Sequence, residues 1–128
     1  MMDAIITQIQ LNCPTVKKVE NAFTTKDYPD LENDVPAVFI APLGGKGAPS
    51  ETDNFVRQLV TKRYLFQIAS PANLLDQVMA ELDAALLGKQ LDGFIYPFQY
   101  VEDDPLDVKP NLYWHGVVYE TALLKQQS

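Results

Sequence analysis

The chain is poor in the residues that most chemistry needs. It has one cysteine, Cys13, and one histidine, His115, in 128 residues. A single cysteine permits no intrachain disulfide, which fits a reducing compartment such as the cytosol. One Cys and one His would leave a structural zinc short of its preferred ligands. Positive charge is also scarce: 10 Lys and Arg stand against 17 Asp and Glu, a net charge of −7. Only Lys17-Lys18 and Lys62-Arg63 are adjacent basic pairs. A surface built to displace counterions from nucleic acid needs clustered Lys and Arg, and no such stripe is visible. No apolar run approaches the ~20 residues needed to span a bilayer, so no membrane association is expected. The start, "MMDAIITQIQ", carries an acid and no basic segment, which is not a secretory signal. A soluble protein made inside the cell is therefore expected.

Apolar residues at 47% and charged residues at 21% are ordinary for a globular chain. The length suits one domain, 1–128, with a real core. There is no internal repeat, low-complexity tract or interdomain linker.

Residues 3 to 13 predict a helix. Ile5, Ile6, Ile9 and Cys13 share one face, Asp3 suits the N-terminal dipole, and Pro14 ends the element. "VKKVENAF" (Val16 to Phe23) is compatible with helix or short strand. "TTKDYPDLENDVP" reads as a polar connection. "VPAVFIAP" (Val35 to Pro42) predicts a strand with a proline near each end. "LGGKGAPSETDN" (Leu43 to Asn54) then reads as a flexible loop. "FVRQLVTKRYLFQIAS" predicts a long strand. Its Tyr64, Phe66 and Ile68 share one face, and Leu59 and Leu65 lie on the other.

The clearest element is a helix from Pro71 to Leu87. Ser70 is placed to cap it, Pro71 suits the first helical position, and Gly88 is the natural residue past its end. Leu74, Leu75, Val78, Met79, Leu82, Ala85 and Leu86 form one stripe. Two strands are expected after it, Phe94 to Val101 and Leu112 to Leu124, with "EDDPLD" (Glu102 to Asp107) as a solvated turn between them. The order α-β-β-β-α-β-β implies an α+β domain. Its sheet is mixed and mainly antiparallel, flanked on one face by two α-helices.

The last strand is apolar on both parities: Leu112, Trp114, Val118 and Leu124 on one, Tyr113, Val117, Tyr119 and Leu123 on the other. A sheet wet on one side should alternate apolar with polar. Two helices cover one face, and a second copy of the chain is the simplest cover for the other.

Candidate chemistry is thin. A Cys13–His115 nucleophile and base would lack a third residue to orient the base, and Cys13 lies on the apolar helix face as a small hydrophobe. "EDDPLD" lacks the regular acid spacing and glycine of a calcium loop. "GGKG" (Gly44 to Gly47) lacks the pattern and the following helix of a phosphate loop. No catalytic residue, metal ligand or cofactor site is expected. The candidate surface is instead an interface. It comprises Gly44, Gly45, Lys46 and Gly47 of the loop, Phe98, Tyr100, Asp103 and Asp104 of the aromatic and acidic stretch, and Tyr113 and Trp114 of the last strand.

The order of these stretches is similar to a known pattern. "CP…VKKVENA" follows a short N-terminal helix, "VPAVFIAP" leads into a long loop, and "YLFQIAS" precedes a helix ending "LDAALLG". "YPFQYV", an acidic loop and "LYWHGVVYETALL" come after. From Met1 to about Leu124 the chain resembles the tail terminator family of long-tailed bacteriophages, also called tail completion or tail-to-head joining proteins. It departs at Lys89, where the family often has a large residue. The resemblance implies a mixed sheet flanked by two helices and a homohexameric ring. That ring caps the tail tube, stops its polymerisation and meets the head-tail connector protein. Its partners would be its own copies, the tail tube protein and the connector. DNA would pass through the lumen without specific binding, in keeping with acidic walls. The site would be the head-proximal end of the virion tail, reached from the host cytoplasm. No activity, metal or cofactor is implied. Two other classes remain open: a monomeric or dimeric adaptor, tail-associated or cytoplasmic, and a small-ligand-binding α+β domain.

Overall fold

In the computed structural model, the described residues are 2–22, 35–47, 57–91, 93–94, 97–109 and 112–126. The elements run α1 (Met2–Asn12), β1 (Lys18–Asn21), β2 (Ala37–Gly47), β3 (Arg57–Ser70), α2 (Ala72–Leu86), β4 (Gln99–Lys109) and β5 (Leu112–Gln126). This is the expected order. The ambiguous "VKKVENAF" stretch contributes the short strand β1. The strands form one sheet in the order β1-β2-β3-β5-β4. β1 pairs parallel to β2, and every other pair is antiparallel. The fold is α+β with a mixed, mainly antiparallel sheet.

Both helices bury their apolar stripes on one face of this sheet. α1 contributes Ile5 and Ile9, and α2 contributes Val78, Leu82, Ala85 and Leu86. They meet Val38 and Ile40 of β2, Tyr64, Phe66 and Ile68 of β3, and Val117 and Tyr119 of β5. The register puts these strand residues opposite one another: Ile40 faces Phe66, Tyr64 faces Tyr119, and Phe66 faces Val117. The two-residue period thus delivers a continuous apolar layer. Cys13 closes the stripe just beyond α1, where its N–H donates to the Ile9 carbonyl at 2.9 Å.

Glu81 of α2 ties the helices together. Its carboxylate accepts from the Thr15 N–H at 2.9 Å, from the Thr15 hydroxyl, and from the Gln77 amide at 2.8 Å. Gln8 of α1 donates to the Ala85 carbonyl at 2.8 Å. The Thr15 N–H beyond α1 is thereby satisfied by α2, and a carbonyl in the last turn of α2 by α1.

Four expectations change. Ser70 is not the cap of α2: Pro71 takes that position, and the Ser70 hydroxyl donates to the Pro71 carbonyl at 2.9 Å. Leu43 to Gly47 are not loop. They continue β2, with Gly45 opposite Lys62 and Gly47 opposite Val60, past an irregularity between Pro42 and Gly45. The long partner β3 extends the ladder through residues of low strand propensity. The remainder of that loop, 48–54, lies outside the described residues, as does the polar connection over 23–34. Third, the strand expected over Phe94 to Val101 starts later than that. β4 begins only at Gln99 and runs on through "EDDPLD" to Lys109. An edge strand tolerates acids, proline and bulges, so the stretch read as a solvated turn is the sheet edge.

The second face of the sheet is also less bare than the parity of β5 implied. Ala37, Phe39, Ala69, Val118 and Ala122 are buried within the single chain. Trp114 stacks on Phe39, with ring centroids 5.9 Å apart. Leu65 and Leu106 close over Gly116, where an added Cβ would lie 3.0 Å and 3.3 Å from their methyl groups. Part of the cover expected from a second copy is supplied internally.

Candidate functional site

β4 is an edge of the sheet, so one side of its backbone has no strand partner among the described elements. It pairs with β5 through two irregularities, between Tyr100 and Glu102 and between Pro105 and Asp107. The extra residues are Val101 and Leu106. Each bulge shifts the side-chain alternation by one. Tyr100 and Asp103 therefore both lie on the helix-covered side, opposite Tyr119 and Val117, while Glu102 and Asp104 turn the other way.

Where this edge meets the C-terminal half of α2 there is a cleft of about 350 Å³, lined by Met79, Asp83, Leu87, Tyr100, Asp103, Val117 and Tyr119. Its floor is aromatic and aliphatic. Tyr119 is fully buried and packs edge-on to Phe66 and Tyr100, at 5.4 Å and 6.2 Å between centroids. Its rim exposes two large apolar side chains, Leu87 and Tyr100, each 46% accessible.

Two hydrogen-bonded groups supply the polarity. Tyr119 donates its hydroxyl to Asp83. Tyr100 donates its hydroxyl to Asp103, and Asp103 also meets Nε2 of His115 at 2.8 Å. These bonds set the charge states. The Tyr100 hydroxyl, then His115, hold the Asp103 carboxyl below its ordinary value, against a smaller effect of burial. Burial first, and the Asp83 carboxylate second, push the Tyr119 phenol far up. The Asp103 bond likewise raises Tyr100. The cleft thus sets a lowered Asp103 carboxyl beside raised Tyr100 and Tyr119 phenols.

Each sequence candidate has a definite place. Tyr100, Asp103 and Asp104 lie on the β4 edge, with Asp104 exposed and Asp103 half-buried. Tyr113 and Trp114 are half-buried on β5. Phe98 is not a surface residue. It is fully buried, 5.2 Å from Phe94 and 6.3 Å from Tyr64 between ring centroids. Gly44, Gly45, Lys46 and Gly47 lie in β2, away from the cleft, and their backbones run beside β3. Asp83, Leu87 and Leu106 were not among the sequence candidates. Asp83 and Leu87 sit at the margin of a helix stripe, and Leu106 was hidden in an apparent turn.

The lone cysteine and the lone histidine each have defined surroundings. Cys13 is buried, and burial, with Glu81 adding to it, pushes its thiol up to about 11. His115 is engaged by Asp103. Among the described residues, no three His, Cys, Asp or Glu converge to hold a metal ion, and no helix is long and apolar enough to cross a membrane.

No family model matches the chain, and no curated protein matches it. Among solved structures, it is similar to a chain in the virion of a native gene transfer agent particle. The two are 11% identical, with a TM-score of 0.67 over 98% of this chain and 95% of the other. At that identity the likeness is one of fold, and it runs nearly end to end in both chains.

Proposed function

We propose that the chain is a structural protein of a phage-like virion, and within it a tail terminator. The observation that carries this reading is the end-to-end fold likeness to a chain of the gene transfer agent virion. The order of elements, which resembles the tail terminator family over nearly the whole chain, supports the finer role. In that role the protein forms a homohexameric ring at the head-proximal end of the tail, caps the tube and meets the connector. It has no catalytic activity and needs no metal or cofactor. In support, Cys13 and His115 each have a structural setting, one in the core and one in a hydrogen-bonded edge. The acidic charge suits a ring whose lumen passes DNA without holding it.

The test is removal of the gene from a strain that makes the particles. The expected result is tubes of irregular length and heads that carry no joined tail, reversed when the gene is restored. Normal particles made without the gene would refute the role.

A further inference from the structure

Charge is unevenly placed along the sheet. β4 carries Glu102, Asp103, Asp104 and Asp107 against one Lys109, and Asp83 stands across the cleft. The other end of the sheet is different. The β4 ladder ends at Gln99 opposite Glu120. Past that point β5 continues to Gln126 with β3 as its partner, and β3 in turn pairs with the end of β2. The result is an arm built from 45–47, 57–62 and 121–126. Six residues of strand make it roughly 20 Å long. These segments hold Lys46, Arg57, Lys62 and Lys125 and no acid, although the stretch 48–56 between β2 and β3 carries Glu51 and Asp53. They also include Leu59, Val60, Leu123 and Leu124.

With a net charge of −7, two copies repel at long range. A contact between them is favoured where it brings opposite local charges together. The arm and the cleft are such a pair, one basic and the other acidic with an exposed apolar rim. They are different parts of the surface, so their union is head-to-tail, which is the contact that closes rings. The β4 backbone itself is a poor template for adding a strand, because two bulges and Pro105 interrupt it. A partner on this edge would have to be held by side chains.

We propose that the arm of one copy docks in the cleft between α2 and β4 of the next, with Lys62 near Asp83 and Asp103 and apolar contact on Leu87 and Tyr100. The inference rests on the self-assembly part of the reading above, and not on its place in a tail.

The test mixes isotope-labelled and unlabelled full-length chains at high concentration and joins touching carboxylates and lysines with a carbodiimide. Peptides linking Asp83 or Asp103 of one isotope to an arm lysine of the other are expected. Lys62→Glu and Leu87→Ser should each weaken association by about tenfold in sedimentation, with unchanged circular dichroism. Association that survives both changes, with links elsewhere, overturns the docking surface and leaves a ring of other geometry standing. A chain that stays monomeric at about 1 mM overturns it as well, and the ring then stands or falls on the particle itself.

Discussion

Leu82 lies fully buried at the centre of the α2 stripe. Leu82→Ala removes its methyl groups and leaves a cavity, so chemical unfolding should show a loss of about 2–5 kcal/mol. A change below about half a kcal/mol would mean that α2 presents another face. Cys13 is buried with a raised thiol, so it should resist alkylation in the native protein and react once unfolded. Asp103 gives a pH signature. Tyr100 and His115 hold its folded-state value below the ordinary 3.8. A depressed carboxylate adds stability that is complete above the unfolded value and fades as pH falls through the folded one. The stability gap between wild type and Asp103→Asn should therefore narrow as pH falls below about 4. A gap that widens with acid would contradict the bond network. At this scale, sequence alone separated core from surface well where a residue lay in a periodic run. It misplaced Phe98 because an aromatic stretch beside acids looks the same whether it packs inward or outward.

Elements with their own periodicity were legible. The α2 stripe and the Tyr64, Phe66, Ile68 parity of β3 are local signals, and both appear in the core. Gly88 is an example of end chemistry read correctly: it follows the last helical turn with φ 73°. Nothing lies within 4 Å of a Cβ added there, so Gly88→Ala should cost only the backbone penalty, about 1–2 kcal/mol by thermal unfolding. A neutral result would show that this turn relaxes freely. β4 and the end of β2 were not legible. Their residues include acids, proline and glycines that signal turns, and only pairing with β5 and β3, distant in sequence, makes them strands. That pairing has a consequence for surgery on the chain. Deleting 45–50 removes ladder positions opposite Val60, Thr61 and Lys62. It should lower the melting temperature measurably, where removal of an unpaired loop would leave it nearly unchanged.

For the whole molecule, the order of elements along the chain was enough to indicate the architecture, because the two helices and five strands among the described residues leave few ways to cover one sheet. Burial of the second face was harder to read. The parity of β5 suggested a missing partner, yet Phe39 and Trp114 stack within the chain, and Leu65 and Leu106 meet over Gly116. The reading as an assembling protein therefore rests on the fold likeness and on the separation of charge between arm and cleft, more than on an uncovered face. The most direct measurement is a cryo-microscopy reconstruction of the particle's tail with this chain located in the density. The account predicts a homohexameric ring of it at the head-proximal end of the tube, between tube and connector. Density for the chain at another position, in another copy number, or absent from the particle would contradict it.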